Sequence, residues 1–449
     1  MQKNTKQLGL WMCTALVIGN MIGSGIFLLP SSLAAYGGIS IVGWLFTAFG
    51  ALMTALVFVR LSRKHPAQGG PYAYTRDGFG RLAGFTVAWG YWVSLWCGNA
   101  AIAVAMVSYL SVFFPMLHAS PLSGVAVALS AIWLLTAVNC IGLKEAGIIQ
   151  LTATVLKLVP LLVIGVAVVF YFDRAAFTPL NTSTVSNFDA VTATAALTLW
   201  AFLGLESATV PADSVENPTV NIPRVTLLGF LIAAVVYISS TATILSVVPQ
   251  TDLVSSSAPF ADAARLMWGE WAGYFIAFIA VISCFGALNG WTLIQGQMPM
   301  AAANDGIFPA IFKGHPESGV PKAGLIISSA LVSVLTISNY AGGLVALFTY
   351  TILLSTLAVL VPYLFTILYE LKLTWLRRGG LGKWLTLLSG LLALAYTLWA
   401  ISGIGQEALL GGVGLMLLGV PVYWWMQRAS VVKLGEASEA NSAEVKLTQ

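Results

Sequence analysis

Charged residues are scarce in this sequence: Asp, Glu, Lys and Arg make up 8% of the 449 residues, whereas 58% are hydrophobic. Soluble domains carry about 25% charged residues, so the composition excludes an ordinary soluble protein. Apolar runs recur from near Leu8 to about Met426. Many of them reach the roughly 20 residues that a helix needs to cross a bilayer core about 30 Å thick. The composition therefore predicts an all-α membrane protein with the lipid bilayer as its partner.

Cysteine and histidine are also rare. All the cysteines lie in apolar segments, which predicts no disulfide framework: Cys13, Cys97, Cys140 and Cys284. All the histidines lie in loops: His65, His118 and His315. The spans contain neither paired acids nor a group of residues with metal-ligand spacing, so we expect no enzymatic activity, no metal and no cofactor. A channel would need a continuous polar path, and no ring or stripe of charge supplies one.

The apolar runs divide into about twelve predicted spans. They begin near residues 9, 40, 82, 121, 148, 190, 225, 271, 324, 343, 384 and 407. We predict one polytopic domain over residues 1–430, with helices 1–5 at about 9–172, helices 6–10 at about 190–370 and helices 11–12 at about 384–427. The polar residues 431–449 predict a disordered cytoplasmic tail.

The basic residues lie mainly on one side of these spans. The net charge is +4, but Lys and Arg cluster in short loops beside the apolar runs, which is a topological pattern and excludes a nucleic-acid partner. With a cytoplasmic N-terminus, 18 of the 21 basic residues fall on the cytoplasmic side, Arg174 and Arg265 fall on the other, and Lys157 falls within span five. The positive-inside rule therefore predicts that both termini are cytoplasmic.

Two predicted spans contain residues that interrupt a helix. Span one has Gly19, Gly23 and Gly25 within seven residues, and span six carries Gly204 and Glu206 at similar depth. Unwound backbone inside a membrane is tolerated only where it is buried in protein or lines a wet cavity, and the N-termini of half-helices there suit a carboxylate. Close helix packing through small residues is the alternative explanation of these glycines.

The interruptions occupy spans one and six of a chain that divides into two sets of five spans, followed by two more. An odd number of spans per repeat reverses the orientation of the second set, so an inverted repeat places the two interruptions face to face at the midplane. We therefore predict a 5+5 inverted repeat with discontinuous helices 1 and 6.

Glu206 and Lys157 are the acid and the base that the sequence places deep in the membrane. A charge at that depth costs roughly 2.5–3.5 kcal/mol on insertion scales, so such residues are functional candidates. Burial disfavours the charged form of each, which predicts that either can exchange a proton near neutral pH. The alternatives are a structural ion pair between them, or a Lys157 side chain that reaches towards the membrane surface.

Three further side chains at mid-span depth are candidates for contact with a ligand. Trp200 and Trp291 lie away from the interfacial belts where tryptophan is enriched, and can stack on a cation or on an aliphatic stem, or simply pack in the core. Asn99 is polar in an apolar run, and hydrogen bonding to a neighbouring helix is the alternative role for it.

Several motifs spread over nearly the whole chain resemble the amino acid, polyamine and organocation transporter superfamily, and especially its bacterial basic amino acid/polyamine antiporters. The motifs are GNMIGSGIFLLP at 19–30, GGPYAY at 69–74, LWAFLGLESA at 199–208, GWTL at 290–293, ANDGIFP at 303–309 and VPY at 361–363. The resemblance implies a transporter in a bacterial inner membrane. A homodimer is implied by analogy with these relatives.

The resemblance also implies roles for individual residues. It assigns Ser24 and Gly25 to the substrate carboxylate, and the backbone near Ala201 and Gly204 to its amino group. The side-chain pocket would be lined by Trp200, Trp291, Asn99, Cys97 and Ser355. Tyr91 and Tyr363 resemble gate residues, and Glu206 resembles the carboxylate linked to the pH response.

Lys157 departs from the pattern of the arginine/agmatine antiporters. It resembles a lysine of other superfamily members, whose amine replaces a sodium ion and braces span one against span eight. A cation there implies no sodium requirement. It also disfavours a dicationic amine as the substrate, because like charges repel each other. We therefore expect secondary active transport of amino acids by alternating access, as exchange with amines and with cationic substrates slightly favoured. The alternative is proton symport of neutral or aromatic amino acids.

Overall fold

The computed structural model describes residues 8–316, 318–339, 344–376 and 379–427, and this part of the chain is almost entirely helical. The only extended pairing within it is an isolated bridge between Leu8 and Val215. The helices of the first half are α1 (Leu10–Met21), α2 (Ser24–Ala34), α3 (Ile39–Lys64), α4 (Pro71–Phe79), α5 (Arg81–Leu110), α6 (Met116–Ala119), α7 (Pro121–Ile141), α8 (Leu143–Tyr171) and α9 (Asn187–Phe202).

The second half continues the same architecture. Its helices are α10 (Pro218–Val247), α11 (Gln250–Leu253), α12 (Pro259–Trp268), α13 (Glu270–Asn304), α14 (Lys322–Asn339), α15 (Leu344–Trp375), α16 (Leu381–Ser402) and α17 (Gln406–Leu417). Short 3-10 turns cover Arg174–Phe177, Ala212–Ser214 and Ala310–Phe312.

Ten helical segments of the described chain are long and apolar enough to cross a membrane. They are Leu10–Ala34, Ile39–Lys64, Arg81–Leu110, Pro121–Ile141, Lys144–Tyr171, Pro218–Val247, Glu270–Asn304, Phe348–Trp375, Leu381–Ser402 and Gln406–Gln427. The shorter α9 and α14 lie where spans six and nine are predicted. The all-helical membrane fold is confirmed, while the count of twelve and the inverted repeat stay predictions. The predicted tail at 431–449 lies outside the described residues.

Regular helix breaks at both predicted positions, but only span one resumes as an α-helix, because residues 203–211 after α9 form turns. The first separates α1 from α2 at Ile22 and Gly23, where Gly23 has φ −117° and ψ −130° and leaves the helical region. The second follows Phe202, because Leu203 is extended and Gly204 has φ +110°. A side chain rarely tolerates a φ of this sign, so glycine at residue 204 allows the chain to leave α9 abruptly.

The interrupted helices lie inside the bundle. In the segment Leu10–Ala34, 89% of the most apolar stretch is buried, and α5 beside it is 94% buried. In the segment Gln406–Gln427 only 11% of the most apolar stretch is buried, so this segment lies at the periphery of the bundle. Helix α5 packs most extensively against α13 and α15. The core of the protein is therefore built around the two interruptions.

One end of the bundle is joined by ion pairs. Arg60 of α3 binds Glu370 of α15 through two hydrogen bonds, one of them 2.8 Å long. Arg76 of α4 pairs with Asp305 at the end of α13, and the Tyr72 hydroxyl donates to the same carboxylate at 2.9 Å. Burial raises the pKa of Tyr72, and the bond to Asp305 raises it further. We call these five residues the end cluster. It connects α3 and α4 to α13 and α15.

Candidate functional site

The two helix interruptions touch each other. A Cβ added to Gly204 would lie 3.1 Å from the Met21 backbone nitrogen and 3.2 Å from the Asn20 carbonyl carbon. The end of α9 and the end of α1 are therefore in backbone contact, as the prediction of opposed interruptions requires. Glycine at residue 204 suits this approach, because a Cβ there would require the neighbouring backbone to shift by a few tenths of an ångström and because its φ of +110° is rare for other residues.

A small cavity lies at this meeting point. Its volume is about 10 Å³, which is room for about one water molecule. It is lined by Asn20, Met21, Gly23, Ser24, Gly25, Ile102, Trp200, Leu203 and Trp291. The structure thus brings together four of the residues predicted to bind substrate, namely Ser24, Gly25, Trp200 and Trp291.

Hydrogen-bonding groups without partners border the cavity. The first N–H groups of α2 have no acceptor within their own helix, and they carry the positive end of its dipole. The Ser24 hydroxyl is buried and has no hydrogen-bond partner among the described residues. Buried polar atoms are rarely left unpaired, so this end of α2 is suited to an anionic group such as a carboxylate.

Trp200 fills the space between the cavity and α5. A Cβ on Gly25 would lie 3.0 Å from the Trp200 ring, and a Cβ on Gly98 would lie 2.8 Å from its far edge. Ser355, which donates to the Ser94 carbonyl at 2.7 Å, lies against the same glycine. The glycines on either side of Trp200 leave room for its ring beside the cavity, where an aromatic ring can contact a cation.

The remaining predicted pocket residues are buried beside the cavity but do not line it. Cys97 is fully buried in α5, and Asn99 donates its amide to Gln295 of α13 at 2.7 Å. The alternative role of Asn99, a hydrogen bond to a neighbouring helix, is therefore observed. Contact of Cys97, Asn99 and Ser355 with a substrate stays a prediction.

Glu206 is bound by both predicted gate residues. The Tyr91 hydroxyl donates to its Oε1 at 2.8 Å and the Tyr363 hydroxyl to its Oε2 at 2.5 Å. The Gly204 N–H donates to Oε2 at 3.1 Å. Glu206 thus joins α5, α15 and the interruption after α9 in one buried cluster. The sequence identified all three side chains, but their direct contact is visible only in the structure.

Lys157 binds the other interruption. Its ammonium donates to the Gly19 carbonyl at 2.8 Å and to the Ile22 carbonyl. Ser283 of α13 donates to the same Ile22 carbonyl at 3.4 Å. Lys157 is fully buried, so it does not reach the membrane surface. The structural pairing of Lys157 with Glu206 is wrong, because each binds a different partner set at a different helix interruption.

Asn20 is a central residue of the site that sequence reasoning missed. Its amide donates to Ser207 at 3.0 Å, and its Oδ1 accepts from Gln150 at 3.3 Å. Its backbone carbonyl accepts the Trp291 indole N–H at 3.2 Å. Asn20 therefore connects α1, α8, α13 and the segment after α9. Its position between the glycines of the first motif was the available signal.

An all-helical membrane bundle in which two helices break beside the same small cavity is the architecture of a secondary transporter. Comparison with known families agrees: residues 8–420 match the family model described as amino acid permease, and the chain belongs to this family. The chain is therefore a multi-pass membrane transporter.

Individual relatives are similar over most of their length. A cadaverine/lysine antiporter of Escherichia coli is 36% identical over 369 residues, which is 81% of this chain and 83% of the relative. The putrescine transporter PotE of Haemophilus influenzae is 34% identical over 94% of this chain and 98% of its own. An arginine/agmatine antiporter of Chlamydia pneumoniae is 30% identical over 94% of this chain and 90% of its own.

A solved structure supports the fold independently. The crystal structure of MhsT in complex with L-phenylalanine superposes with a TM-score of 0.63 over 88% of this chain and 98% of that one. The sequences are only 13% identical, so this likeness concerns the fold alone.

Proposed function

We propose that the protein exchanges a cationic amino acid for a related amine or amino acid across a bacterial inner membrane. Support comes from the relatives, whose names combine lysine with cadaverine and arginine with agmatine. These pairs share a cationic end and differ in the α-carboxylate. The two interruptions of this chain provide one place for the α-carboxylate and one for the α-amine of such an amino acid.

The backbone contact between the two interruptions carries the proposal. The N-terminus of α2, with the Ser24 hydroxyl, receives the α-carboxylate. The carbonyl groups at the C-terminal end of α9, near Ala201 and Gly204, receive the α-amine, because the negative end of the helix dipole lies there. Trp200 and Trp291 cover the ligand, and its side chain extends towards Cys97, Asn99 and Ser355.

Alternating access follows from the arrangement of the two buried charges. Glu206 holds Tyr91 and Tyr363 across the path on one side of the cavity, and protonation of the carboxyl weakens these bonds. Lys157 holds the interruption of span one through two carbonyls, in the place of a bound cation. We propose that Glu206 and Lys157 couple transport to pH, and that no sodium ion is required.

The orientation and assembly are part of the same proposal. Because 18 of 21 basic residues fall on one side of the predicted spans, both termini are assigned to the cytoplasm. The end cluster then closes the cytoplasmic end of the bundle. A homodimer is proposed by analogy with the antiporters that the sequence resembles.

Counterflow tests the exchange directly. Purified protein in liposomes loaded with lysine, arginine, cadaverine or agmatine takes up external labelled lysine, and empty liposomes serve as the control. We expect uptake to require a loaded cationic partner. Uptake of a neutral amino acid driven by a pH gradient alone, with no internal partner, would contradict the proposal and establish the alternative of proton symport.

A further inference from the structure

A chain of four buried polar side chains crosses the bundle beside the cavity. Asn99 of α5 donates to Gln295 of α13 at 2.7 Å, and Gln295 donates to Ser329 of α14 at 3.1 Å. Ser329 and Thr136 of α7 are 2.6 Å apart. Each of the four residues is 2% exposed or less. These four side chains therefore have fixed hydrogen-bond partners and no contact with solvent.

The donor and acceptor roles follow from the number of protons available. A hydroxyl group donates only one hydrogen bond. Thr136 uses its proton for the Ile132 carbonyl at 2.7 Å, so it accepts from Ser329. Ser329 has then used its own proton, and it can only accept from Gln295. The amide nitrogen of Gln295 must face Ser329, which directs its oxygen towards Asn99.

The orientation of Gln295 determines the orientation of the Asn99 amide. Because Gln295 presents an oxygen, Asn99 must turn its own nitrogen towards it. The Asn99 Oδ1 atom is left buried and without a hydrogen-bond partner among the described residues. Amide orientations normally have to be assigned from the surrounding hydrogen bonds. Here Thr136 determines the orientation of the Asn99 amide through three successive hydrogen bonds. Asn99 is thereby fixed as an acceptor.

The acceptor lies one helical turn from the cavity. Asn99 precedes Ile102 by three residues on α5, and Gln295 follows Trp291 by four residues on α13. Residues at these spacings share a helix face, and both Ile102 and Trp291 line the cavity. The neighbouring Gly98 contacts Trp200. A ligand side chain that displaces Trp200 along α5 therefore approaches Asn99.

We propose that Gln295 is a positioning residue that fixes the Asn99 carboxamide as an acceptor and so selects substrate side chains that donate hydrogen bonds, such as an ammonium or guanidinium group. The inference rests on the proposed function, since it concerns the side-chain end of the same ligand. An unpaired buried oxygen is costly, and a donor on the substrate supplies the missing bond. An apolar side chain of equal length leaves the oxygen unpaired.

The test compares lysine with norleucine, which has the same carbon chain but lacks the ammonium group. Gln295→Met keeps the volume but releases the Asn99 amide, which can then present either end. We expect the ratio of the norleucine KM to the lysine KM in proteoliposome exchange to fall about twofold, because only about half of the molecules then present the Asn99 oxygen to lysine. The maximal exchange rate for norleucine should be unchanged.

Thr136→Val provides a second, milder variant far from the ligand. It frees the hydroxyl proton of Ser329, which can then be donated to Gln295. The donor and acceptor roles of Gln295 and Asn99 are then reversed. The KM ratio should fall in the same direction, by up to about twofold, because both orientations become populated. Thr397→Val is the matched control, since Thr397 is equally buried and donates to the carbonyl four residues earlier but belongs to the peripheral α16.

The outcomes separate this inference from the proposed function. If wild-type protein prefers lysine and both Gln295→Met and Thr136→Val keep the wild-type KM ratio, the positioning role of Gln295 is overturned. If wild-type protein transports lysine and norleucine equally well, the proposed function itself fails, and this inference fails with it. A lower ratio in Thr136→Val but not in Thr397→Val supports the proposal.

Discussion

At the scale of single residues, the two buried charges have separate tasks. Glu206 accepts three hydrogen bonds from Tyr91, Tyr363 and Gly204, and Lys157 donates to two carbonyls of span one. Each charged group is hydrogen-bonded by the residues around it, and these bonds offset the free-energy cost of burying an isolated ion. Changing either residue therefore alters one helix interruption and leaves the other intact.

Replacement of Glu206 should weaken the pH response. Glu206→Gln keeps the shape of the side chain, and the Tyr91 hydroxyl can rotate to accept from the new amide, so the protein should fold. We expect the exchange rate in liposomes to vary less between acidic and neutral buffers than in the wild type, with Lys157 responsible for the variation that remains. Glu216→Gln, at an exposed carboxylate, is the control. A wild-type pH profile in Glu206→Gln would exclude this residue from proton coupling.

Replacement of Lys157 should impair transport through the interruption of span one. In Lys157→Met the Gly19 and Ile22 carbonyls lose a charged donor, and bonds to charged groups contribute about 1.5–3 kcal/mol. We expect labelled lysine exchange to slow at least about tenfold. Thr154→Val removes a bond from α8 to the regular part of α1, at the Ala15 carbonyl, and should have a small effect. Equal slowing by both variants would indicate a general packing defect.

At the scale of helices, the interruptions were predictable because they depend on local chemistry. Glycines at residues 23 and 204 weaken a helix wherever they occur, and a carboxylic acid at residue 206 requires a polar environment. The hydropathy also located the long spans, since each needs a continuous apolar run. It placed the start of span seven near 225, whereas α10 begins at Pro218, because its first turns carry polar residues that lie outside the apolar run.

Long-range contacts could not be predicted in the same way. Asn20 and Gln295 are polar residues in largely apolar helices, and their hydrogen bonds to Gln150 and Asn99 join residues more than a hundred positions apart. One sequence contains no information about such pairings. The polar residues themselves were visible, but nothing local distinguishes a residue that orders the site from one that bonds its own helix.

The contact between the interruptions can be tested at Gly204. In Gly204→Ala the new methyl group meets the backbone of Met21 and Asn20, and its φ of +110° adds strain of about 1–2 kcal/mol. We expect the KM for lysine in liposome exchange to rise at least about tenfold. Gly405→Ala is the control, since Gly405 has φ +85° but nothing within 4 Å of the added carbon. It should lower the melting temperature without changing the KM.

At the scale of the whole molecule, the end cluster and the proposed orientation make a joint prediction about sidedness. Thr184 and Ser318 are both exposed in loops, which the proposed topology places on opposite sides of the membrane. In a variant without the native cysteines, an impermeant maleimide applied to intact cells should label Thr184→Cys and spare Ser318→Cys. The reverse pattern would invert the topology, and the end cluster would then close the external side.

The cavity shared by the two interruptions has a kinetic consequence. Both interruptions border the same space, so the proposed site that opens there can hold one solute at a time, and the outgoing molecule must leave before the incoming one enters. Double-reciprocal plots of exchange velocity, measured at several internal concentrations, should therefore give parallel lines, the signature of a ping-pong cycle. The rate of import is then limited by how fast the unloaded transporter binds the exchanged solute on the opposite side of the membrane.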